Sequence, residues 1–179
     1  EQLEYPFRLQ HCRLWHAPHY NIPLLKNKTL LVVTIHDLIH WIFRKEFYSY
    51  LKSVYTRILM ERIVRCAERI ITVSRQTRDD LIQYFKAPLE RIRVIPEGVA
   101  PEFFQPPSFA ERKGILGKYN LPERFFLYVG LIKPHKNVKR LWELFKHLRR
   151  DRKIESSLVL VGKKDGRYPA GFESLKDLN

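Results

Sequence analysis

A histidine and an aspartate follow one apolar run of the sequence and form the first candidate site. His36 and Asp37 come directly after residues 30–35, which read LLVVTI. An imidazole at this position could hydrogen-bond a sugar hydroxyl or transfer a proton, while the adjacent carboxylate fixes the loop. The alternative is a strand-end histidine that bonds only backbone atoms, and the local sequence leaves both readings open.

A glycine and two lysines form a second candidate site in YVGLIKPHKN, residues 128–137. Gly130 ends an apolar run at a point where a side chain would block the approach of a ligand to the backbone. Asn137 can cap the helix predicted after it. Backbone N–H groups at a helix start attract anions, and Lys133 and Lys136 lie nearby in the sequence. The stretch predicts either a phosphate cradle or an exposed basic loop.

Short apolar runs and amphipathic runs alternate along the chain and predict the elements that position these residues. The continuous, β-branched runs are typical of buried parallel strands. They cover residues 30–35, 69–73, 92–95, 125–129 and 157–161. Helical periodicity covers residues 47–68, 74–86 and 137–150. The alternation predicts an α/β fold with parallel sheets, in which ligands bind at the carboxyl ends of the strands. Gly162, directly after the last run, is therefore a further residue that could line the cleft.

The predicted helix over residues 47–68 has two interpretations. Its apolar residues predict a stripe that packs on the core. They are Leu51, Val54, Tyr55, Ile58, Leu59, Ile63 and Ala67. Basic residues beside Phe47, Tyr48 and Tyr50 also suit a helix that lies on an anionic membrane.

Residues 96–107 contain four prolines and Gly98 and have almost no periodicity. Such a segment is typical of a connection between two α/β units. The sequence therefore predicts one domain over residues 1–103 and a second over residues 104–179.

The composition restricts the classes of partner. A formal net charge of +14 favours anionic partners: nucleic acid, phosphorylated small molecules or acidic lipid. Cys12 and Cys66 have neither metal-ligand nor redox spacing, which predicts two buried thiols in a reducing compartment. The sequence contains no apolar run of membrane-spanning length. Because it begins with Glu1, we expect it to be part of a longer protein.

Six segments, taken in order, resemble the middle of retaining family 4 glycosyltransferases. They are HAPHYNIPL (16–24), VVTIHDLIH (32–40), RIITVSRQTRDDL (69–81), RIRVIPEGV (91–99), FLYVGLIKPHKN (126–137) and LVLVG (158–162). They look most like the bacterial mannosyltransferase-type branch that builds surface polysaccharides. The resemblance implies the GT-B fold, with two Rossmann-like domains that are both incomplete in this chain. Residues 1–103 would be the later part of the acceptor-side domain, and residues 104–179 the first part of the nucleotide-sugar domain.

The resemblance also implies an activity. It is transfer of a sugar, with mannose as one candidate, from a GDP- or UDP-sugar to a polysaccharide or lipid-linked acceptor, with no cofactor and no obligatory metal. The expected location is the cytoplasm, with peripheral contact at the inner face of the membrane. The alternatives are a catalytically incomplete remnant that at most binds a nucleotide, or a nucleic-acid-binding protein. No recognised nucleic-acid module supports the last, so we expect no nucleic-acid partner.

The resemblance assigns roles to individual residues. His36 matches the active-site histidine that contacts the sugar, and Gly98 matches the crossing between domains. Gly130 and Lys136 match the loop and the lysine that neutralise the donor diphosphate. A positioned cation suits that role, because the leaving nucleoside diphosphate gains charge in the transition state.

The chain also departs from the family pattern at two positions. Leu131 stands where many relatives have arginine, and Lys133 is a candidate to replace that cation. Glu97 stands where asparagine is common.

Overall fold

Six strands form two separate parallel sheets in the computed structural model, which describes residues 11–22, 29–47, 49–151 and 153–163. The chain divides into two compact units, one ending at Val99 and the other beginning at Ala100. The predicted α/β class with parallel sheets is confirmed. All five predicted strands are present, within one residue of the expected ends.

The sheet of the first unit has four strands in sequential order. They are β1 (Leu14–Ala17), β2 (Leu30–Ile35), β3 (Arg69–Thr72) and β4 (Ile92–Val94). In the register, Ile35 lies opposite Thr72, and Thr72 lies opposite Val94. The carboxyl ends of β2, β3 and β4 are therefore level, and the residues that follow them share one edge of the sheet.

Within the part of the first unit that the structure describes, four α-helices accompany this sheet. They are α1 (Ile39–Ile42), α2 (Arg44–Phe47), α3 (Tyr50–Cys66) and α4 (Arg75–Phe85). Ser74 caps α4 as predicted, because its hydroxyl accepts a hydrogen bond from the Thr77 N–H at 3.1 Å. The helix predicted over residues 47–68 is instead divided, since α3 has its own N-cap at Ser49.

The core of the first unit lies between the sheet and its helices. Its fully buried side chains include Val33, Ile35, Leu59, Ile63 and Ile70. The prediction that one apolar stripe of α3 packs on the core is wrong for the first half of the helix. Leu51, Val54, Tyr55 and Ile58 are exposed, whereas Ser53, Thr56 and Met60 are buried. Because α3 has apolar residues on two faces, periodicity alone did not identify the face that packs on the sheet.

The prediction that the two cysteines are buried is also wrong. Cys12 and Cys66 are both exposed. Cys12 lies before the edge strand β1, and Cys66 is the last residue of α3. Both positions leave the side chain outside the core, whatever its intrinsic preference for burial.

As far as Lys163, the described part of the second unit has a two-stranded sheet and two α-helices. The strands β5 (Phe125–Val129) and β6 (Ser157–Val161) pair in parallel along their full lengths. The helices are α5 (Phe109–Lys118) and α6 (Val138–Arg150). The sequence prediction missed α5, which begins with a capping box. In this box the Ser108 hydroxyl accepts from the Glu111 N–H, and the Glu111 carboxylate accepts from the Ser108 N–H.

The segments after β5 and β6 remain paired beyond the strands. The Gly130 N–H donates to the Val161 carbonyl at 2.9 Å, and the Ile132 N–H donates to the Lys163 carbonyl at 3.0 Å. Gly130 has a φ of +150°, a conformation that residues with a Cβ rarely adopt. A Cβ on Gly162 would overlap the Gly130 carbonyl oxygen. Two glycines therefore allow the two backbones to meet at this point.

We expect the substitution Gly162→Ala to destabilise the second unit by about 1–3 kcal/mol, because the backbone must move to remove the overlap. Urea unfolding followed by circular dichroism measures the change. Gly114→Ala in α5 is the matched control, since no described heavy atom lies within 4 Å of its added Cβ. It should stabilise the helix slightly. Equal unfolding midpoints for Gly162→Ala and the unsubstituted chain would contradict the close approach.

The capping box predicts a pH dependence. The pKa of Glu111 is lowered. The larger cause is the hydrogen bond from the Ser108 hydroxyl, and the smaller cause is the hydrogen bond from the Ser108 backbone N–H. A lowered folded-state pKa contributes stability above the ordinary value of 4.5, and this contribution is lost as the pH falls through the folded-state pKa. Glu111→Gln should therefore lower the urea midpoint at pH 7 and have progressively less effect below pH 4.5.

Glu102→Gln is the control for the loss of one exposed carboxylate from the second unit. A midpoint difference between Glu111→Gln and the unsubstituted chain that is the same at neutral and acidic pH would rule out the carboxylate as its source.

Candidate functional site

His36 lies directly after β2, at the edge where the ends of the strands are level. Its Nδ1 is 2.8 Å from Oε1 of Glu97, and its Nε2 is 3.0 Å from the carbonyl oxygen of Pro18. Its own carbonyl accepts a hydrogen bond from the Thr77 hydroxyl at 3.1 Å. Residues that follow β1 and β4, together with α4, therefore fix both the ring and the backbone of His36.

Two more imidazoles and a carboxylate surround this position. The rings of His19 and His36 are stacked, with centroids 6.5 Å apart, and His40 contacts Tyr20 edge to face at 6.3 Å. Burial lowers the pKa of His19, the nearby His36 lowers it further, and Asp37 opposes the shift. The edge of the sheet thus carries several groups that can exchange hydrogen bonds with a ligand.

The Asp37 carboxylate has a local structural role. Its Oδ1 accepts a hydrogen bond from the Ile39 N–H at 3.0 Å, at the first residue of α1. This contact fits the prediction that Asp37 fixes the loop. The side chain of His36 remains 43% exposed, so a ligand at the sheet edge can reach it.

Glu97 is a partner of His36 that the sequence analysis did not assign. The only sequence signal was its departure from the asparagine common at this position in the family. The partners are separated by 61 residues, so no local pattern could connect them. The parallel register of β2, β3 and β4 brings them together.

In the second unit, the residues of the basic loop follow β5. A short 3₁₀ turn spans Pro134–Lys136, closed by a hydrogen bond from the Lys136 N–H to the Lys133 carbonyl at 2.9 Å. Lys136 is exposed and Lys133 is half-buried. Both lysines therefore belong to one turn beside the paired backbones of Gly130 and Gly162.

The predicted capping role of Asn137 is wrong in its detail. Asn137 is the N-cap residue of α6, but its side chain accepts no capping hydrogen bond from a described N–H group. It has a left-handed conformation, with φ of +52°, instead of the extended one that lets an N-cap side chain reach forward. The first N–H groups of α6 thus lack that side-chain acceptor.

Gly98 and Leu131 are the remaining residues that the sequence analysis singled out. Gly98 lies in the segment after β4, and an added Cβ there would have no described heavy atom within 4 Å. Its backbone thus shows no steric need for glycine. Leu131 is 48% exposed, and its carbonyl accepts a hydrogen bond from the Tyr128 hydroxyl at 3.1 Å. An apolar side chain therefore lies at the place where many relatives have a cation.

Within 11–22, 29–47, 49–151 and 153–163, no group of three or more His, Cys, Asp or Glu side chains is arranged to bind a metal ion. None of the helices in these ranges has the length and apolarity needed to span a bilayer.

Sequence comparisons match both units to models of glycosyltransferases. Residues 2–103 match the model for Glycosyltransferase Family 4, and residues 113–178 match the model for glycosyl transferases group 1. An O-antigen chain mannosyltransferase, RfbU, of Salmonella typhimurium is 30% identical over an alignment of 133 positions, which covers 69% of this chain and 32% of the relative. O-antigen chain mannosyltransferase B of Escherichia coli is 27% identical over 151 residues, 83% of this chain and 38% of the relative.

A solved structure supports the fold. Sucrose-phosphate synthase from Thermosynechococcus elongatus matches with a TM-score of 0.61 at 20% sequence identity, covering 93% of this chain and 41% of that protein. The likeness supports the expected GT-B class, with each domain present in part. The chain spans about a third of the length of the curated relatives described above. With a family model matched over more than half of its residues, the chain belongs to Glycosyltransferase Family 4.

Proposed function

We propose that this protein is a retaining glycosyltransferase that moves a sugar from a nucleotide-diphosphate sugar to a polysaccharide or lipid-linked acceptor. The observation that carries the proposal is the match of both units to glycosyltransferase models. Mannose is the sugar we propose, since two relatives are named as O-antigen chain mannosyltransferases. GDP-mannose is then the donor to test first, with UDP-sugars as the alternative.

The second unit supports the donor side of this proposal. At Gly130 and Gly162 the backbone carries no side chain, so a diphosphate could approach this loop closely, although the Gly130 N–H itself is bonded to the Val161 carbonyl. Lys136 is exposed in the adjacent turn and supplies a cation. Such a charge stabilises the leaving nucleoside diphosphate, which becomes more negative as the glycosidic bond breaks. Lys133 is the proposed second cation, because Leu131 cannot supply one.

The first unit supports the sugar side. His36 is partly exposed at the sheet edge while its ring is fixed by Glu97 and Pro18. A fixed imidazole that can reach a ligand is able to hydrogen-bond a sugar oxygen without first losing side-chain freedom. Asp37 and Gly98 are proposed to shape the surrounding loops, and no metal or cofactor is part of the proposal.

Removal of the Lys136 charge should weaken donor binding. We expect Lys136→Ala to raise the Kd for GDP-mannose about 10- to 100-fold, as for loss of a hydrogen bond to a charged group. Calorimetry on the longest reading frame that contains this chain measures the Kd, with UDP-sugars tested in parallel. Lys113→Ala, which removes an exposed charge from α5, is the matched control and should leave the Kd unchanged.

Unchanged donor affinity in Lys136→Ala would contradict the assigned role of this lysine. Absence of binding for every nucleotide sugar would contradict the proposed function itself. Binding without sugar transfer to an acceptor extract would favour a nucleotide-binding remnant.

The exposed face of α3 supports peripheral contact with the inner face of an anionic membrane. Tyr50, Leu51 and Ile58 are 81%, 78% and 52% exposed, and the neighbouring Lys52 and Arg57 are also exposed. Apolar side chains of this kind enter the interface while the cations attract acidic headgroups. A lipid-linked acceptor would lie at such a surface.

We expect the chain to co-sediment with vesicles that contain phosphatidylglycerol and to be released by salt. The double substitution Leu51→Ser and Ile58→Ser should reduce the bound fraction several-fold, because it removes the apolar contribution. Leu144→Ser, at an exposed position in the second unit, is the control. Equal binding to phosphatidylglycerol and pure phosphatidylcholine vesicles would contradict the electrostatic part of this proposal.

A further inference from the structure

Two hydroxyl groups connect the start of α4 to the end of β2. Ser74 is the N-cap residue of α4, and its hydroxyl accepts a hydrogen bond from the Thr77 N–H at 3.1 Å. The hydroxyl oxygens of Ser74 and Thr77 are 3.0 Å apart. The Thr77 hydroxyl in turn donates a hydrogen bond to the backbone carbonyl of His36 at 3.1 Å, although the two residues are 41 positions apart in the sequence. The cap of a helix is therefore linked to the residue proposed to contact the sugar.

The hydrogen bonds of this hydroxyl pair can run in only one direction. A hydroxyl group has a single proton to donate. The Thr77 hydroxyl donates its proton to the His36 carbonyl, which accepts and has no proton of its own. The Ser74 hydroxyl is therefore the donor to the Thr77 oxygen. Hydrogen bonds linked in series polarise one another, so the Ser74 hydroxyl strengthens the bond that Thr77 makes to His36.

The Thr77 hydroxyl can influence a ligand at the sheet edge only through His36. Thr77 is 6% exposed, whereas the side chain of His36 is 43% exposed. A ligand at the edge thus reaches the imidazole and not the hydroxyl. The ring has its own contacts, to the Glu97 carboxylate and the Pro18 carbonyl. A shift of the His36 backbone would change both of these distances.

We propose that Thr77 is a positioning residue, whose hydroxyl holds the His36 backbone at the place where the ring contacts Glu97 and Pro18. Ser74 orients this hydroxyl. The ring then has one orientation before any ligand binds, so binding does not have to restrict it. The use of this orientation in sugar transfer rests on the proposed function. The hydrogen bonds and the orientation of the ring do not.

The chain offers matched substitutions for a test. Thr77→Val removes the hydroxyl and keeps the branched shape, whereas Thr77→Ser keeps the hydroxyl. Thr72→Val is the control. Thr72 is fully buried in β3, and its hydroxyl has no hydrogen-bond partner among the described residues. The control therefore removes a buried hydroxyl from the same unit without removing a hydrogen bond to His36.

The test is NMR of the 179-residue chain labelled with ¹³C,¹⁵N-histidine, in which the signals lost in His36→Asn identify His36. In Thr77→Val the ¹³C signal of the His36 carbonyl should move to lower frequency, because this carbonyl loses a hydrogen bond. Three-bond couplings between Hα and Hβ measure the side-chain rotamers. The ratio of the main His36 rotamer to the others should fall about two- to ten-fold in Thr77→Val, as for loss of one hydrogen bond. Thr77→Ser and Thr72→Val should keep both values of the unsubstituted chain.

An unchanged carbonyl signal or an unchanged rotamer ratio in Thr77→Val would overturn the proposal. Equal changes in Thr72→Val, or a failure of Thr77→Ser to keep the values, would also overturn it. The unsubstituted chain is a second test, independent of variant folding, because couplings that show several His36 rotamers would contradict a fixed ring.

These spectra need no substrate, so they stay informative if nucleotide sugars fail to bind. Sugar transfer is measured separately, on the longest reading frame that contains this chain. A rate that Thr77→Val leaves unchanged, although the ring has lost its orientation, would reject the role of Thr77 in transfer and leave the proposed function in place.

Discussion

The parallel register of β2, β3 and β4 is the constraint on which the site in the first unit depends. It places Ile35, Thr72 and Val94 side by side, so the chain leaves all three strands at one edge. The ring of His36 then contacts the Glu97 carboxylate, and its backbone carbonyl accepts a hydrogen bond from the Thr77 hydroxyl. A shift of one residue in any of these pairings would turn the side chains to the opposite face and separate the groups.

In the second unit, the corresponding constraint is a close approach of two backbones. Gly130, with its positive φ, continues the pairing of β5 and β6 past the strand ends, and a Cβ on Gly162 would overlap the Gly130 carbonyl oxygen. The buried cluster beside them is small and consists of Ile132 and Val138, with Tyr128 and Leu160 packed against it. The geometry of the turn at Pro134–Lys136 therefore depends on backbone hydrogen bonds and on the two glycines as well as on apolar packing.

The sequence predicts those features that depend on local patterns. Continuous β-branched runs identify five strands, because parallel strands are buried on both faces and show no alternation. Ser74 as a helix cap follows in the same way. Other features depend on packing that the sequence does not display. The edge strand β1 is short and carries His16, and α3 has two apolar faces of which only one is buried.

In the candidate sites, too, some features follow from local sequence patterns and others appear only in the structure. The positions of His36 and Gly130 after strands follow from the patterns, while the roles of His36 and Lys136 came from a family resemblance. The pairing of His36 with Glu97 spans 61 residues and appears only in three dimensions. The left-handed conformation of Asn137 also differs from the capping role that its residue type suggested. The helix α5 was predictable, because Ser108 and Glu111 have the spacing of a capping box.

The proposed donor site requires that the strand-end loops of the second unit recognise a diphosphate. Amide NMR of the 179-residue chain titrated with GDP, and separately with guanosine, tests it most directly, because NMR detects weak binding residue by residue. We expect GDP to shift the amide signals of Gly130, Ile132, Lys136 and Gly162, and guanosine, which lacks the phosphates, to leave them nearly unchanged. Equal shifts with both compounds, or shifts confined to the first unit, would contradict it.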